Sequence, residues 1–216
     1  MTSYDEPISI GTKSNWDAGG TGFNGCQAFG NELRLRGRFW NAMDIIGPDI
    51  HTFSTARVRD CIEKSLSMVE ASKSCDTPRE AVWRGLIMER NINEEPVDES
   101  YGYLFDELRK LLEQNSDLKT IEANDYFRIL RVRSDSWTVF LTAKGYFGHS
   151  WPIVQRGDKI CLFSGCRFPM VIRPKGTASS QSHSAVYKLI GWCYIQGIMY
   201  GEALSENLAE ETIVLR

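Results

Sequence analysis

The stretch GWCYIQGIMYGEAL (residues 191–204) is the most apolar part of the chain, and three glycines punctuate it. Only thirteen residues lie between Lys188 and Glu202, and Gln196 is one of them, whereas a membrane-spanning helix needs about 20 apolar residues. Its β-branched and aromatic residues favour a strand, and its glycines interrupt a helix. We therefore predict a buried strand here, with bends or close backbone approaches at the glycines.

The segments on either side of this stretch also favour strands. WTVFLTA (137–143) alternates in polarity, and KICLF (159–163), FPMVI (168–172) and VYKLI (186–190) supply apolar residues for a core. Pro169 predicts an edge or a bulge, because proline cannot donate to a ladder. Residues 137–201 are accordingly predicted to be β-rich. In the carboxy-terminal segment (202–216), ALSENLAEE favours a short helix and TIVLR a last strand.

Residues 54–133 show helical periodicity instead. Apolar residues recur three or four positions apart in a first helix, where they are Val58, Ile62, Leu66 and Val69. Thr77, Pro78 and Glu80 form a capping-box pattern at the start of a second helix. Tyr101 to Leu112 carry the apolar stripe of a third. Residues 120–133 are compatible with a helix or a strand, and their spacing favours the helix.

The amino-terminal part divides at about residue 30. Residues 1–30 are polar and glycine-rich, which is typical of a tail or loop. Leucine and arginine alternate at residues 33–36, which predicts a strand over residues 31–46 with the arginines on its solvent-exposed face. The chain is thus expected to be an α+β protein, with a helical layer packed on a small antiparallel β-barrel or curved sheet. Residues 31–216 are expected to form a single domain.

The composition excludes several functional classes. The net charge of −3 gives no signal for nucleic acid or for an anionic membrane. The chain has six cysteines, none in a C-x-x-C pair, and only three histidines. This set of residues does not favour a metal site. The first residues lack the pattern of a secretory signal. We expect reduced thiols, a cytoplasmic location, and neither a metal nor a cofactor.

Three residues are candidates for catalysis. Cys161 can act as a nucleophile if His149 approaches it in the fold, since a reactive thiol needs a nearby base. The more common outcome is an unpartnered buried cysteine. Glu202 follows the apolar stretch directly, and it can be a buried acceptor of hydrogen bonds from backbone N–H groups of the glycine loop or contact a ligand. The first role for Glu202 is favoured, and no third member of a catalytic triad is evident.

Other short patterns have structural explanations that are favoured over functional ones. GTGFNG (20–25) fits a dinucleotide-binding spacing, but polar residues rather than a strand precede it. The RGD triplet (156–158) fits a turn before a strand. The RLRGRFW stretch (34–40) interleaves basic and aromatic residues as single-strand nucleic-acid binders do, but one short stripe in an acidic chain is weak support, and a solvated strand face explains it.

An ordered series of motifs between residues 138 and 204 resembles the region after the HET domain in fungal heterokaryon-incompatibility proteins. The upstream helices resemble that region more loosely. The matching pieces are Thr142, Gly145-Tyr-Phe-Gly148, Gly157-Asp158, Gly165, Pro169, Val171-Ile-Arg-Pro174, Tyr187, Leu189-Ile-Gly191, Tyr194-Ile195, Gly197-Ile-Met199 and Gly201-Glu202. GHSWP (148–152) departs from the usual Gly-hydrophobic-Gly-Pro continuation. No segment resembles the HET domain itself, so the family's cell-death activity is not carried over.

The resemblance implies a non-catalytic recognition or regulatory module that acts through protein contacts. Its partners would be other proteins, among them full-length HET-family members. We expect the polar loops NINEEPVDES (91–100) and TASSQSHS (177–184) to carry specificity, because loops can change without disturbing a core. The alternatives are a hydrolase or thiol enzyme that uses Cys161 with His149, or Glu202, and a barrel that binds a small ligand.

Overall fold

The computed structural model describes residues 16–20, 26–175 and 185–216, and these residues form both layers of an α+β fold. The strands are β1 (Gln27–Phe29), β2 (Glu32–Asp49), β3 (Thr138–Thr142), β4 (Phe147–Ser150), β5 (Lys159–Phe163), β6 (Met170–Pro174), β7 (Val186–Ile195) and β8 (Glu211–Leu215). The helices are α1 (Thr55–Ser72), α2 (Pro78–Leu86), α3 (Ser100–Glu113), α4 (Leu118–Ala123) and α5 (Asp125–Ser134). The predicted fold class is confirmed.

The helices follow one another in the chain, where helical periodicity predicted them. Helix α1 begins after Ser54, whose hydroxyl accepts the N–H of Arg57, and it ends at Lys73 in the left-handed conformation. The apolar residues predicted on one face of α1 are all buried. Residues 120–133, for which helix was favoured over strand, contribute to α4 and α5. Asp117 and Asn124 cap these two helices with their side chains.

Helix α2 begins at Pro78 as predicted, but the capping box predicted at its start does not form. The side chain of Thr77 makes no capping hydrogen bond. Glu80 instead accepts a hydrogen bond from Arg84 Nε at 2.7 Å, and the Arg84 guanidinium lies over the ring of Trp83. The carboxylate is therefore drawn one turn along the helix, because a cation stands there at the favourable i,i+4 spacing.

Strand β2 is longer than the strand predicted for residues 31–46. It has 18 residues and continues through Gly47 and Pro48 to Asp49. Its pairing with β3 shifts register between Ile46 and Asp49. Pro48 fits this irregularity, since no ladder hydrogen bond is required from a residue without an N–H.

Two closed circuits of hydrogen-bonded strands share the wall β2–β5–β6–β7. Strands β3 and β4 close the first circuit, because β3 pairs with the second half of β2 and β4 pairs with residues 193–195 of β7. Strand β8 closes the second circuit. It pairs with residues 33–37 of β2 in antiparallel fashion and with residues 186–187 of β7 in parallel. The predicted barrel or curved sheet is thus a ring-like barrel in which one strand pair is parallel.

Three apolar clusters fill the molecule. Alternate residues of β5 point into two of them: Ile160 and Leu162 into the cluster of the first circuit, Cys161 and Phe163 into that of the second. The third and largest cluster joins the helices to the barrel. Every residue of β3 is consequently buried, since one of its faces lies in the barrel and the other under the helices.

The opening stretch GWCYIQGIMYGEAL starts as the predicted buried strand, but the strand ends at Ile195 rather than at 201. Gly197 and Gly201 adopt φ values of +86° and +90°, which an extended strand does not allow. Ile198 and Met199 remain buried in the turns that follow. Gly191 marks a close approach, as predicted, because a Cβ atom there would lie 2.6 Å from the Trp151 ring.

Two other predictions for the barrel need correction. Pro169 lies at neither an edge nor a bulge, because β6 begins directly after it between β5 and β7, and the register shift of the β6–β7 pairing lies between Val171 and Ile172. The helix predicted for 203–211 is only a 3-10 turn, Glu202–Ser205. Trp40 Nε1 donates to Glu206 at 2.8 Å, and Lys144 also binds this carboxylate, so the chain is drawn onto the barrel. The predicted last strand is confirmed as β8.

Part of the amino-terminal segment predicted as a tail or loop is packed into the barrel. Trp16 and Ala18 are buried, and the N–H of Gly19 donates to the carbonyl of Cys166 at 2.9 Å. A Cβ atom on Gly19 would lie 2.1 Å from the carbonyl oxygen of Phe163. The close contact therefore requires a glycine at position 19. Further along the same segment, residues 27–29 form strand β1.

Candidate functional site

The structure does not bring Cys161 and His149 together. Cys161 lies on β5 and His149 on β4, and strands β6 and β7 separate them in the sheet. The Cys161 side chain is buried in the cluster of the second circuit, and this burial raises the pKa of its thiol far above the usual range. The thiol is therefore protonated at neutral pH and has no base beside it.

His149 is fully buried on β4, between the rings of Trp137 and Tyr194 at centroid distances of 5.1 and 5.3 Å. Among the described residues, neither of its ring nitrogens meets a partner with hydrogen-bond geometry. Burial lowers the pKa of His149 to about 3, and the backbone of Gly85 opposes this fall. The imidazole is thus neutral and acts as one ring of an aromatic cluster.

Glu202 is exposed at the start of the 3-10 turn. Its Oε2 accepts the backbone N–H of Tyr200 at 2.8 Å, which is the kind of contact favoured from the sequence. The preceding Gly201 has a left-handed backbone, and a Cβ atom there would come 3.3 Å from the carbonyl oxygen of Asp17. The carboxylate faces solvent rather than a buried pocket.

A polar network that the sequence analysis missed connects the helical layer to the barrel. Gln196 Nε2 donates to Glu89 Oε1 at 2.8 Å. The hydroxyl of Tyr194 donates to Gln196 Oε1 at 2.7 Å and lies 3.2 Å from Glu89 Oε2. Burial and the neighbouring carboxylate raise the pKa of Tyr194 well above its usual value. The one sequence signal for this network was a glutamine within the most apolar stretch.

A cleft of about 340 Å³ opens beside this network. The hairpin between β3 and β4 forms one wall, where Tyr146 packs edge-on against Trp40 at 5.0 Å. Gly145, with φ of +81°, has no space for a side chain because Ser74 lies 2.2 Å from its Cβ position. Several motif residues of the sequence analysis therefore meet at one place. The lining residues are Ser74, Cys75, Ala81, Lys144, Gly145, Tyr146, Phe147 and Gln196.

The loop NINEEPVDES, for which a role in specificity is predicted, is held in one shape by its own residues. Asn91 Oδ1 accepts the N–H groups of Asn93 at 2.8 Å and of Glu95 at 3.0 Å. The N–H of Asn91 donates to the carbonyl of Glu95 at 2.9 Å, which closes the turn. Residues 91–95 are thus a compact turn.

Two arginines fix this turn to the helical layer. Arg133, whose side chain is only 9% exposed, donates to the carbonyl of Asn91 and pairs with Glu94 at 3.0 Å. Arg90, also buried, donates to the carbonyl of Glu94 and to the hydroxyl of Tyr200. The turn is therefore rigidly placed relative to α5 and to the barrel.

The turn and helix α5 form a groove of about 390 Å³. Ile92 at the tip of the turn is 50% exposed, and Val132 on α5 is 69% exposed. Both line the groove together with Phe127 and two arginines that are paired with acidic neighbours, Arg128 and Arg131. Two exposed aliphatic side chains on rigid elements make this groove a candidate contact surface.

The RGD triplet and the arginine stripe have structural partners. Asp158 is buried and accepts the N–H of Gln155 at 2.8 Å and two hydrogen bonds from Arg173, so it fixes the turn. Arg36 and Arg38 pair with Glu210. Neither pattern leaves its charges free for a ligand.

The glycine pattern GTGFNG falls mostly outside the described residues, as does the loop TASSQSHS. Within residues 16–20, 26–175 and 185–216, no three His, Cys, Asp or Glu side chains gather in the way that metal ligands do. In the same part of the chain, no helix has the length and apolarity that a membrane crossing requires.

The comparisons with known proteins agree with the motif series. The chain is 30% identical over 114 residues to heterokaryon incompatibility protein 6, OR allele, of Neurospora crassa. The aligned part is 53% of this chain, and the chain covers 16% of that relative. No solved structure matches the chain. The family model described as the Het-6 beta-barrel domain matches residues 61–214, so the resemblance to fungal heterokaryon incompatibility proteins is confirmed and the chain belongs to the Het-6 beta-barrel domain family.

Proposed function

We propose that the chain is a recognition or regulatory module of the heterokaryon incompatibility type, which acts through contacts with other proteins and without chemistry. Its partners include full-length members of the same family. The observation that carries this proposal is the rigid turn at residues 91–95, which presents Ile92 beside Val132. A preformed apolar contact loses little conformational entropy on binding, and such a surface suits protein recognition.

The geometry around the catalytic candidates supports a mechanism without chemistry. Cys161 and His149 are buried in different clusters, and the thiol has a raised pKa. Glu202 is exposed and holds a backbone N–H. An activated nucleophile requires an adjacent base or a lowered pKa, and neither candidate has one.

The proposal is tested by co-expressing the tagged chain with a full-length HET-family protein of the same fungus. We expect the two proteins to co-purify, and we expect the double variant Ile92→Asp/Val132→Asp to reduce the recovered partner at least about tenfold, because charges in an apolar contact cannot be solvated. Tyr103→Asp is the matched control, since Tyr103 is 70% exposed on α3. Equal recovery with the double variant and the control contradicts the role of the groove.

The absence of chemistry is tested separately with Cys161→Ala and His149→Ala in the producing fungus. At unchanged protein abundance, the incompatibility phenotype is expected to stay the same for each variant. A phenotype lost at full abundance would show that these groups do chemistry. Abundance has to be measured because both side chains are packed in cores.

Binding of a small ligand is the second candidate function, and the cleft of about 340 Å³ favours it. Its lining mixes Tyr146 and Phe147 with the side chains of Lys144 and Gln196, as many ligand sites do. Among the described residues, side chains of the first-circuit cluster pack inside the barrel.

A further inference from the structure

Charge is distributed very unevenly along the chain. Residues 159–201 contain no aspartate or glutamate but five basic residues, Lys159, Arg167, Arg173, Lys175 and Lys188. The whole chain has a net charge of −3, so these 43 residues carry +5 and the rest carries −8. The overall charge, from which no charged partner was expected, therefore conceals a basic region.

Three of these basic side chains lie on one face of the β6–β7 pair. Arg173 and Lys188 are direct cross-strand partners, so they project from the same face. Lys175 lies two positions after Arg173, and its N–H bonds to the carbonyl of Val186. Asp158 balances Arg173. Among the described residues, Lys175 and Lys188 have no ion pair, and both are exposed.

An exposed apolar turn borders these cations. Trp151 is 44% exposed, stacks on Trp137 at 5.3 Å and covers Gly191. Ile153 is 57% exposed, and its carbonyl accepts a hydrogen bond from Arg173 at 2.8 Å. The turn is thus anchored on both sides, and its exposed side chains stand next to the basic face. We call Trp151, Ile153, Arg173, Lys175 and Lys188 together the basic apolar face.

We propose that the basic apolar face binds an acidic segment of a partner protein that also presents an aromatic or aliphatic side chain. Charge complementarity favours this occupant, since the face has unbalanced positive charge beside two exposed apolar side chains. Carboxylates of the segment pair with Lys175 and Lys188, and its apolar side chain packs on Ile153 and Trp151. The face is distinct from the groove at Ile92, and it stands whether or not that groove binds a HET-family protein.

The experiment selects peptides from a random twelve-residue display library on the full chain. The peptides that are enriched should contain several Asp or Glu residues and at least one aromatic or aliphatic residue. The dissociation constant of one enriched, fluorescently labelled peptide is then measured by fluorescence anisotropy. We expect Lys175→Glu/Lys188→Glu to raise its dissociation constant at least about tenfold, and Ile153→Ser to raise it about fivefold. The control Lys110→Glu/Lys119→Glu makes the same change of net charge on exposed helical residues and should change binding less than about twofold.

Several outcomes would overturn the proposal. Enrichment of peptides without an excess of Asp and Glu would overturn it. Equal affinity of a selected peptide for the double variant Lys175→Glu/Lys188→Glu and for the control would also overturn it. Self-association of the chain that is lost in the double variant, without peptide binding, would assign the face to a second copy. Binding to phosphatidylcholine vesicles that contain phosphatidylserine, but not to pure phosphatidylcholine vesicles or to peptides, would assign it to a membrane surface. Failure of co-purification with a HET-family protein tests only the proposed function.

Discussion

At the scale of single residues, His149 shows how a candidate for catalysis becomes a structural group. Both ring nitrogens are buried and find no hydrogen-bond partner in the part of the chain that the structure describes, which is costly for a polar side chain. The ring is kept there by its aromatic neighbours, Trp137 and Tyr194. Such a group ties stability to pH, because only the unfolded chain can protonate it in mildly acidic solution.

We expect the free energy of unfolding to fall as the pH decreases from 7 to 5. The pKa of His149 is lowered to about 3 in the folded state, whereas an unfolded histidine titrates near 6.5. The stability is thus present above about pH 6.5 and is lost by about 1.4 kcal/mol per pH unit between that value and about 3. Urea unfolding at pH 5, 6 and 7 measures the loss, which should be ~2 kcal/mol over this range.

The variant His149→Phe should flatten this pH dependence, because it removes the buried imidazole whose pKa is lowered. A slope that persists in His149→Phe would mean that other groups cause it. The comparison of slopes is valid even if the variant is less stable at every pH.

The cysteines are expected to differ in reactivity according to burial. Cys61, Cys161 and Cys193 are buried, and burial raises the pKa of all three thiols, that of Cys61 to about 12. Cys26 is exposed, and Cys75 and Cys166 are partly exposed. We predict that a thiol reagent labels three cysteines in the native protein and six in urea, counted by mass spectrometry. Rapid native labelling of Cys161 would contradict its assignment to the core.

At the scale of secondary-structure elements, the turn at residues 91–95 depends on an arginine from another element. Arg133 reaches from α5 to the carbonyl of Asn91 and to Glu94. The turn was predicted only as a loop, since nothing in its local sequence indicates which distant side chain holds it. Loops that are fixed in this way can present contact residues without becoming disordered.

Replacement of Arg133 by Met is expected to destabilise the protein by ~2 kcal/mol, because a nearly buried guanidinium leaves a carbonyl and a carboxylate without their partner. Arg128→Met is the control and should cost less than ~0.5 kcal/mol, since its ion pair with Asp125 is exposed. Denaturant unfolding measures both changes. Cleavage after Glu94 by a glutamate-specific protease should also become faster in Arg133→Met only.

Helices were predictable from the sequence where one face is apolar. Side-chain hydrogen bonds were not predictable where a donor or acceptor has more than one possible partner. The stripe in α1 predicted its buried residues because helical spacing determines which side chains share a face. The capping box in α2 failed because Glu80 has a nearby cation, Arg84, as an alternative partner. The end of β7 was misplaced, since Gly197 is compatible with a strand in sequence and only its φ value shows the turn.

At the scale of the whole molecule, the network of Glu89, Gln196 and Tyr194 connects the two layers. It could not be predicted, because residues 107 positions apart meet only in the complete fold. The fold class was predictable, because helical and strand periodicities occupy separate parts of the chain. The candidate sites were harder to predict. The groove and the basic apolar face each combine separate segments, and whether these segments are close depends on how the elements are arranged in the fold.

A double-mutant cycle tests whether this network couples the layers. Glu89→Ala and Gln196→Ala are each expected to lower the free energy of unfolding, and the double variant should lose about 1 kcal/mol less than the sum of the two, since the shared hydrogen bond is removed once. The pair Lys64→Ala and Asp60→Ala, an exposed ion pair on α1, is the control and should couple by less than ~0.5 kcal/mol. Additive losses at Glu89 and Gln196 would show that the network does not connect the layers energetically.

The second circuit also has a consequence for how the chain folds. Its closing contacts join Leu33 to Leu215, so residues 33–215 must all have left the ribosome before they can form. Contacts between such distant positions slow folding, because a large loop must close before they contribute any stability. During translation, residues 32–34 of β2 can pair with β1, but the edge that later pairs with β8 has no partner. We expect chaperones to bind the newly made protein first at this unpaired strand edge, and aggregation to begin there.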